Sequence, residues 1–159
     1  MKVTVIAVGK LKEKYLKDGI GEYAKRLSRF CDLEIIEVAD EQASENLSLA
    51  QEQQVKAKEA ERVIKKIKDG SAVVVLDVKG ERLTSEEFAG KLKSFFLSGI
   101  SHITFVIGGS LGLDEKLISM ARFRFSMSDL TFPHQLARLI LAEQLYRAFK
   151  IINGETYHK

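Results

Sequence analysis

Ala72-Val73-Val74-Val75-Leu76-Asp77-Val78 stands between Gly70 and Gly80. Its valines are β-branched and favour extended backbone. A run this continuously apolar fits a strand covered on both faces, the middle of a parallel sheet. Working outward, Lys2–Val8, Leu33–Val38 and His102–Ile107 read as further strands, and Phe123–Ser126 as a short one. Between the strands the spacing changes to a helical period. Leu16, Ile20, Tyr23, Leu27 and Phe30 recur every three or four residues, with Gly19 and Gly21 weakening that helix. Residues 45–68 place Ala60, Val63, Ile64 and Ile67 on one side. Thr84, three residues before Glu87, forms a capping-box pattern ahead of Phe88, Leu92 and Phe95. Asp114 suits the cap of a short helix to about Ala121, and Gln135–Ile152 a long last helix. Residues 39–44 and 127–134 are left as loops. Strand and helix alternate five times, which predicts a single α/β domain over residues 1–159. Its sheet is mostly parallel, with helices on both faces.

A length of 159 residues suits one domain, and 45% hydrophobic residues can supply its core. Cys31 is the single cysteine, so an internal disulfide framework and a Cys-rich zinc site are excluded. No stretch nears the roughly 20 apolar residues that span a bilayer. The apolar run Val3–Val8 is too short for a secretory leader, so a soluble cytoplasmic protein is expected. The net charge of +3 is mild, but its placement is not even. Residues 1–121 sum to zero, and the whole excess lies in residues 122–159.

Ligands of open α/β sheets bind beyond the carboxyl ends of the strands. Three such ends carry unusual residues: Leu76-Asp77-Val78-Lys79-Gly80, Ile107-Gly108-Gly109, and Ser126 into Met127–Phe132. Gly108-Gly109-Ser110-Leu111-Gly112 is not a dinucleotide fingerprint and lacks the Lys-Ser/Thr of a phosphate-cradling loop. It is either a tight turn or a ligand-contacting loop. Asp77, inside an apolar run, is either functional or solvated and capped by backbone N–H groups at the strand end. Pro133 stiffens the segment before the last helix, and a stiff loop with exposed backbone groups can read a purine edge. His134, beside the helix start, is expected to be structural. Arg138 projects into the apolar half of the last helix and needs a carboxylate, a carbonyl or a ligand anion. Leu136, Ile140 and Ile151 make that helix apolar on a second side, through burial in a monomer or against a second subunit. Glu143 and Arg147 are an ordinary i,i+4 pair. The terminus Tyr157-His158-Lys159 is a frayed end, or a group that stacks on an unpaired base, moves a proton and meets a phosphate.

Leu76-Asp77-x-x-Gly80, Phe105-x-Ile107-Gly108-Gly109-x-x-Gly112, Thr131-x-Pro133-His134-Gln135-x-x-Arg138, Glu143-Gln144-x-Tyr146-Arg147-Ala148 and the closing Tyr157-His158-Lys159 together resemble the RlmH family. These are small SPOUT-class methyltransferases of the ribosomal large subunit. The resemblance covers essentially the whole chain, with Leu130 and Phe132 as apolar departures from the family's methionine and leucine. It implies S-adenosylmethionine-dependent methylation of N3 of a pseudouridine in 23S rRNA of the assembled ribosome, a homodimer, and a C-terminal trefoil knot. It implies cofactor contacts at Leu76, Gly108, Met127, Ser128, Asp129, Leu130, Thr131 and Phe132. It further implies catalytic roles for His158, Tyr157 and Arg138, and no need of a metal, since a sulfonium methyl is already electrophilic. RNA is the expected partner, with neither DNA nor membrane. Two other classes compete: a ribosome-binding module without activity, and a nucleotide-dependent oxidoreductase, which lacks its fingerprint.

Overall fold

The computed structural model describes all 159 residues. The elements run β1 (Lys2–Val8), α1 (Lys14–Leu27), β2 (Asp32–Val38), α2 (Leu49–Ile64), β3 (Ala72–Arg82), α3 (Ser85–Leu97), β4 (His102–Ile107), α4 (Glu115–Met120), β5 (Phe123–Ser126) and α5 (His134–Ile152). All five strands are parallel in one sheet, in the order β2-β1-β4-β3-β5. The expected α/β alternation is therefore present throughout. β1 and β4 hold the middle, and Val5, Ile6, Ala7, Phe105 and Val106 are at most 5% exposed, as strands covered on both faces require.

Successive side chains of a strand alternate between faces, and the core divides accordingly. One face packs Val3, Val5, Ala7, Ile103, Phe105 and Ile107 against α1, α3 and α5 through Leu27, Phe88, Leu92, Leu141, Leu145 and Phe149. The other packs Ile6, Val8, Val73, Val75 and Val106 against α2 and α4 through Ala60, Val63 and Leu117. Burying a Val, Leu, Ile or Phe side chain is worth about 1.5–3 kcal/mol, so both layers contribute to holding the sheet.

Three boundaries differ from the sequence reading, each for a local reason. The expected helix over 45–68 is shorter because Ser48 accepts the Gln51 N–H and Gln51 reaches back to Ser48, capping α2 there. β3 does not stop at Val78. It bulges after Leu76 and pairs again with β5 at Glu81↔Phe125 and Arg82↔Ser126. Gly80 permits this, since a Cβ there would lie 2.8 Å from the Arg124 carbonyl carbon and oxygen. His134 belongs to α5 and not to the preceding loop, with Pro133 at the N-cap. The caps expected of Thr84 and Asp114 are both formed.

Candidate functional site

The carboxyl ends of β3, β4 and β5 open into one cavity of about 630 Å³. That lies inside the range of roughly 300–1,000 Å³ usual for small-ligand sites. Its walls come from the three strand ends selected above: Leu76–Val78, Ile107–Leu113 and Phe125–Ser128 with Leu130–Pro133. His134 and Ala137 of α5 close it.

Each wall has a local cause. In the glycine loop, a Cβ on Gly108 would sit 2.9 Å from Leu113 Cδ2, and one on Gly109 would sit 2.9 Å from Glu59 Oε2. A side chain at either position would push its neighbour aside, and glycine lets the loop lie this close without that. Glu59 of α2 is buried behind Gly109, and burial pushes its carboxyl pKa up while the Glu41 N–H bonded to it opposes. In the last loop, Ser126 Oγ donates to the Ser128 carbonyl at 3.1 Å, and the Leu130 N–H donates to Ser128 Oγ at 3.0 Å. These short-range bonds hold the turn open toward the cavity.

Asp77 is answered by a pair. Its Oδ1 accepts the Lys79 N–H at 3.0 Å, and its Oδ2 accepts from Arg124 Nη2 at 2.5 Å and Nε at 3.1 Å. Burial raises the carboxyl pKa; the Lys79 N–H and the Arg124 guanidinium outweigh it and hold it below the usual carboxylate value. A depressed folded-state pKa stabilises fully above the unfolded value of about 4 and is lost as pH falls through the folded one. The melting-temperature gap between the wild type and Asp77→Asn should therefore be constant near neutrality and shrink below pH ~4. A gap unchanged down to acid pH would disprove the pairing.

The named site residues do not all converge. Leu76, Gly108, Met127, Ser128, Leu130, Thr131 and Phe132 line the cavity. Asp129 turns outward and meets Arg82 Nη1 at 2.5 Å. Arg138 is 3% exposed and is bound to backbone, with Nη2 donating to the carbonyls of Gly9 at 2.8 Å and Val8 at 3.3 Å. Glu37 stands 3.5 Å from Nη1. Of the three partner types open to Arg138, it takes carbonyls and a carboxylate.

The tail lies elsewhere on the same chain. Tyr157 Oη donates to Glu143 Oε1 at 3.2 Å, and its ring meets Tyr146 edge-on at 4.9 Å. His158 Nε2 lies 2.7 Å from Glu86 Oε1, and its Nδ1 lies 3.2 Å from Arg147 Nη1. Arg147 is itself held by Glu143 at 2.6 Å. Glu143 and Arg147 stand five and nine residues beyond Arg138 on α5, roughly 7 and 13 Å along its axis at 1.5 Å per residue. Burial, with Tyr23 and Glu143 nearby, pushes the Tyr157 phenol up to about 12, so it remains a proton donor near neutrality. Neither tail residue lines its own chain's cavity.

Sequence reasoning set His134 aside as structural and passed over Glu59. His134 is the one titratable lining residue besides Asp77. Burial, then the neighbouring Arg138, lowers its pKa and favours the neutral ring. Glu59 lies four residues before Val63, on the apolar side of α2, and that position was its available signal.

The lining contains no lysine or arginine. It offers an apolar floor of Leu76, Ile107, Phe125, Met127 and Phe132, with backbone groups and the Ser128 and Thr131 hydroxyls around it. A phosphate-rich dinucleotide finds no fixed cation among these residues.

The sequence profile of the family described as "Predicted SPOUT methyltransferase" matches residues 1–158. The chain is 68% identical over 159 residues to the ribosomal RNA large subunit methyltransferase H of Acetivibrio thermocellus, covering both chains completely. It is 64% identical, again over the full length of both, to the protein of that name from Ruminiclostridium cellulolyticum. The fold is similar to a solved structure described as "a probable methylase family protein from Haemophilus influenzae Rd KW20". That likeness has a TM-score of 0.50 at 14% identity, covering 96% of this chain and 66% of the other. No helix is long and apolar enough to cross a membrane.

Proposed function

The chain belongs to the SPOUT methyltransferase family, and from this we propose that it methylates N3 of a pseudouridine in 23S rRNA of the assembled ribosome, using S-adenosylmethionine. The observation that carries this reading is the cavity at the carboxyl ends of β3, β4 and β5. Its cation-free lining matches the proposed methyl donor, and full-length relatives carry the name of a large-subunit rRNA methyltransferase.

In this reading Leu76, Gly108 and Met127–Phe132 hold the donor, Asp129 through its backbone. When bound, S-adenosylmethionine supplies an electrophilic sulfonium methyl, so the chain's task is orientation and proton removal. Ser128 and Thr131 offer hydroxyls to fix polar groups, while Leu76, Phe125 and Phe132 exclude water. The protein works as a homodimer in the cytoplasm, residues 1–159 forming one domain with its C-terminal part threaded as a trefoil knot. The tail of one protomer completes the cavity of the other: Tyr157 positions the base and His158 assists loss of the N3 proton. What supports this reading is the tail's place: in its own chain it is held by Glu86, Glu143 and Arg147, away from the cavity. Arg138 is a positioning residue that locks α5 to the end of β1. Dimerisation would combine two basic C-terminal segments into one surface for RNA.

Isothermal calorimetry tests the reading. S-adenosylmethionine should bind the pure protein and NADH should not. Absence of cofactor binding would leave only a ribosome-binding module, and NADH binding would favour the oxidoreductase.

A further inference from the structure

The connection from β1 to α1, residues 9–13, lies against the same first turn of α5 that closes the cavity. Gly9 has φ +93°, and a Cβ on it would meet His134 Nε2 at 3.2 Å. The segment is fixed along its backbone. The Gly9 N–H donates to the Val38 carbonyl at 2.8 Å, and the Gly9 carbonyl accepts from Arg138 at 2.8 Å. The Leu11 N–H donates to Glu37 Oε2 at 2.9 Å, and the Lys12 N–H donates to Gln135 Oε1 at 3.0 Å. On this fixed backbone Lys10 and Lys12 are exposed and have no ion-pair partner, while the neighbouring Lys14 is neutralised by Asp18 at 2.6 Å. Burial first, then Arg138 and to a lesser degree Lys12 disfavour protonation of His134 in the cavity wall, while Asp40 favours it.

We propose that the β1–α1 segment is a phosphate-contacting arm for RNA, with Lys10 and Lys12 gripping the target's backbone beside the methyl-transfer cavity. This rests on the rRNA methyltransferase reading and adds the surface by which that substrate is held. A lysine ammonium on a flexible stem is a point charge for phosphate that reads no sequence. With the backbone already ordered, binding carries no further cost of ordering the loop.

The test measures methyl transfer to whole ribosomes over a range of salt. It compares wild type, Lys10→Gln/Lys12→Gln, and Lys65→Gln/Lys66→Gln at the far end of α2. Each lost phosphate contact should lower the slope of log KM against log salt by roughly 0.7–0.9. The first variant should therefore show a raised KM for ribosomes and a slope lower by about 1.5, with S-adenosylmethionine affinity unchanged. The α2 variant should behave as wild type. An unchanged slope for the Lys10/Lys12 variant, or an equal loss in the α2 variant, overturns the arm. A photo-crosslinker on Lys10→Cys that lands on a ribosomal protein and not on 23S rRNA overturns it too. If wild type transfers no methyl to ribosomes, the underlying function fails instead.

Discussion

Removal of Glu155–Lys159 should cut methylation of ribosomes by roughly 10²–10⁴-fold, the usual range for losing general acid–base assistance, while S-adenosylmethionine still binds. The cavity is built from β3, β4, β5 and the start of α5, and no tail residue lines it. Cofactor binding and catalysis should therefore separate. The arrangement in trans adds a sharper expectation. Gly108→Val places side-chain atoms where Leu113 and the Gly112 carbonyl already stand, 2.9 and 3.1 Å from the first added carbon, so it should block the cavity. Truncated protein and Gly108→Val should each be inactive alone. Mixed dimers should regain activity, because the intact tail of one serves the open cavity of the other. Wild-type rates from the truncated protein would remove the tail from the mechanism. Failure of mixed dimers to recover would place its action within one chain.

Arg138→Ala should destabilise the fold by about 2–4 kcal/mol, since charge-assisted bonds to two buried carbonyls are lost and those carbonyls are left unpaired. At roughly 2–4 °C per kcal/mol for a chain of this size, melting should fall by about 5–15 °C. Arg138 lies within α5 and its acceptors end β1, so the loss should loosen α5 from the sheet and weaken cofactor binding with it. Differential scanning calorimetry with and without cofactor reads both effects. A melting temperature within a degree or two of wild type, with activity abolished, would return Arg138 to a direct catalytic role.

The sheet was readable because burial on both faces leaves a plain mark. Val73–Val75 and Phe105–Ile107 are apolar without alternation, and they occupy interior strands. The caps at Thr84 and Asp114 were readable because Thr and Asp act within three residues of themselves, while the Ser48 cap was hidden inside a longer helical pattern. What was hidden joins residues far apart in the chain. Nothing in the order of residues pairs Asp77 with Arg124, or sends Arg138 to the carbonyl of Gly9. The bulge at Asp77–Gly80 depends on the closeness of the Arg124 backbone, so Gly80 looked like a strand end and is a strand interior. The cavity-lining residues were legible as odd residues at strand ends, but their convergence follows from the order β4-β3-β5. The tail motif was recognisable through resemblance alone, and its contacts to Glu86, Glu143 and Arg147 depend on how α3 packs against α5.

The central claim is methyl transfer to one base of the large-subunit RNA, and label mapping tests it most directly. The protein is incubated with S-adenosylmethionine labelled in its methyl group and with whole ribosomes, free subunits or naked rRNA, and the label is then located. The account predicts label on N3 of a single pseudouridine in 23S rRNA, with the assembled ribosome as the substrate. Label on another base or another RNA, or no label while the protein still binds the cofactor, would contradict it.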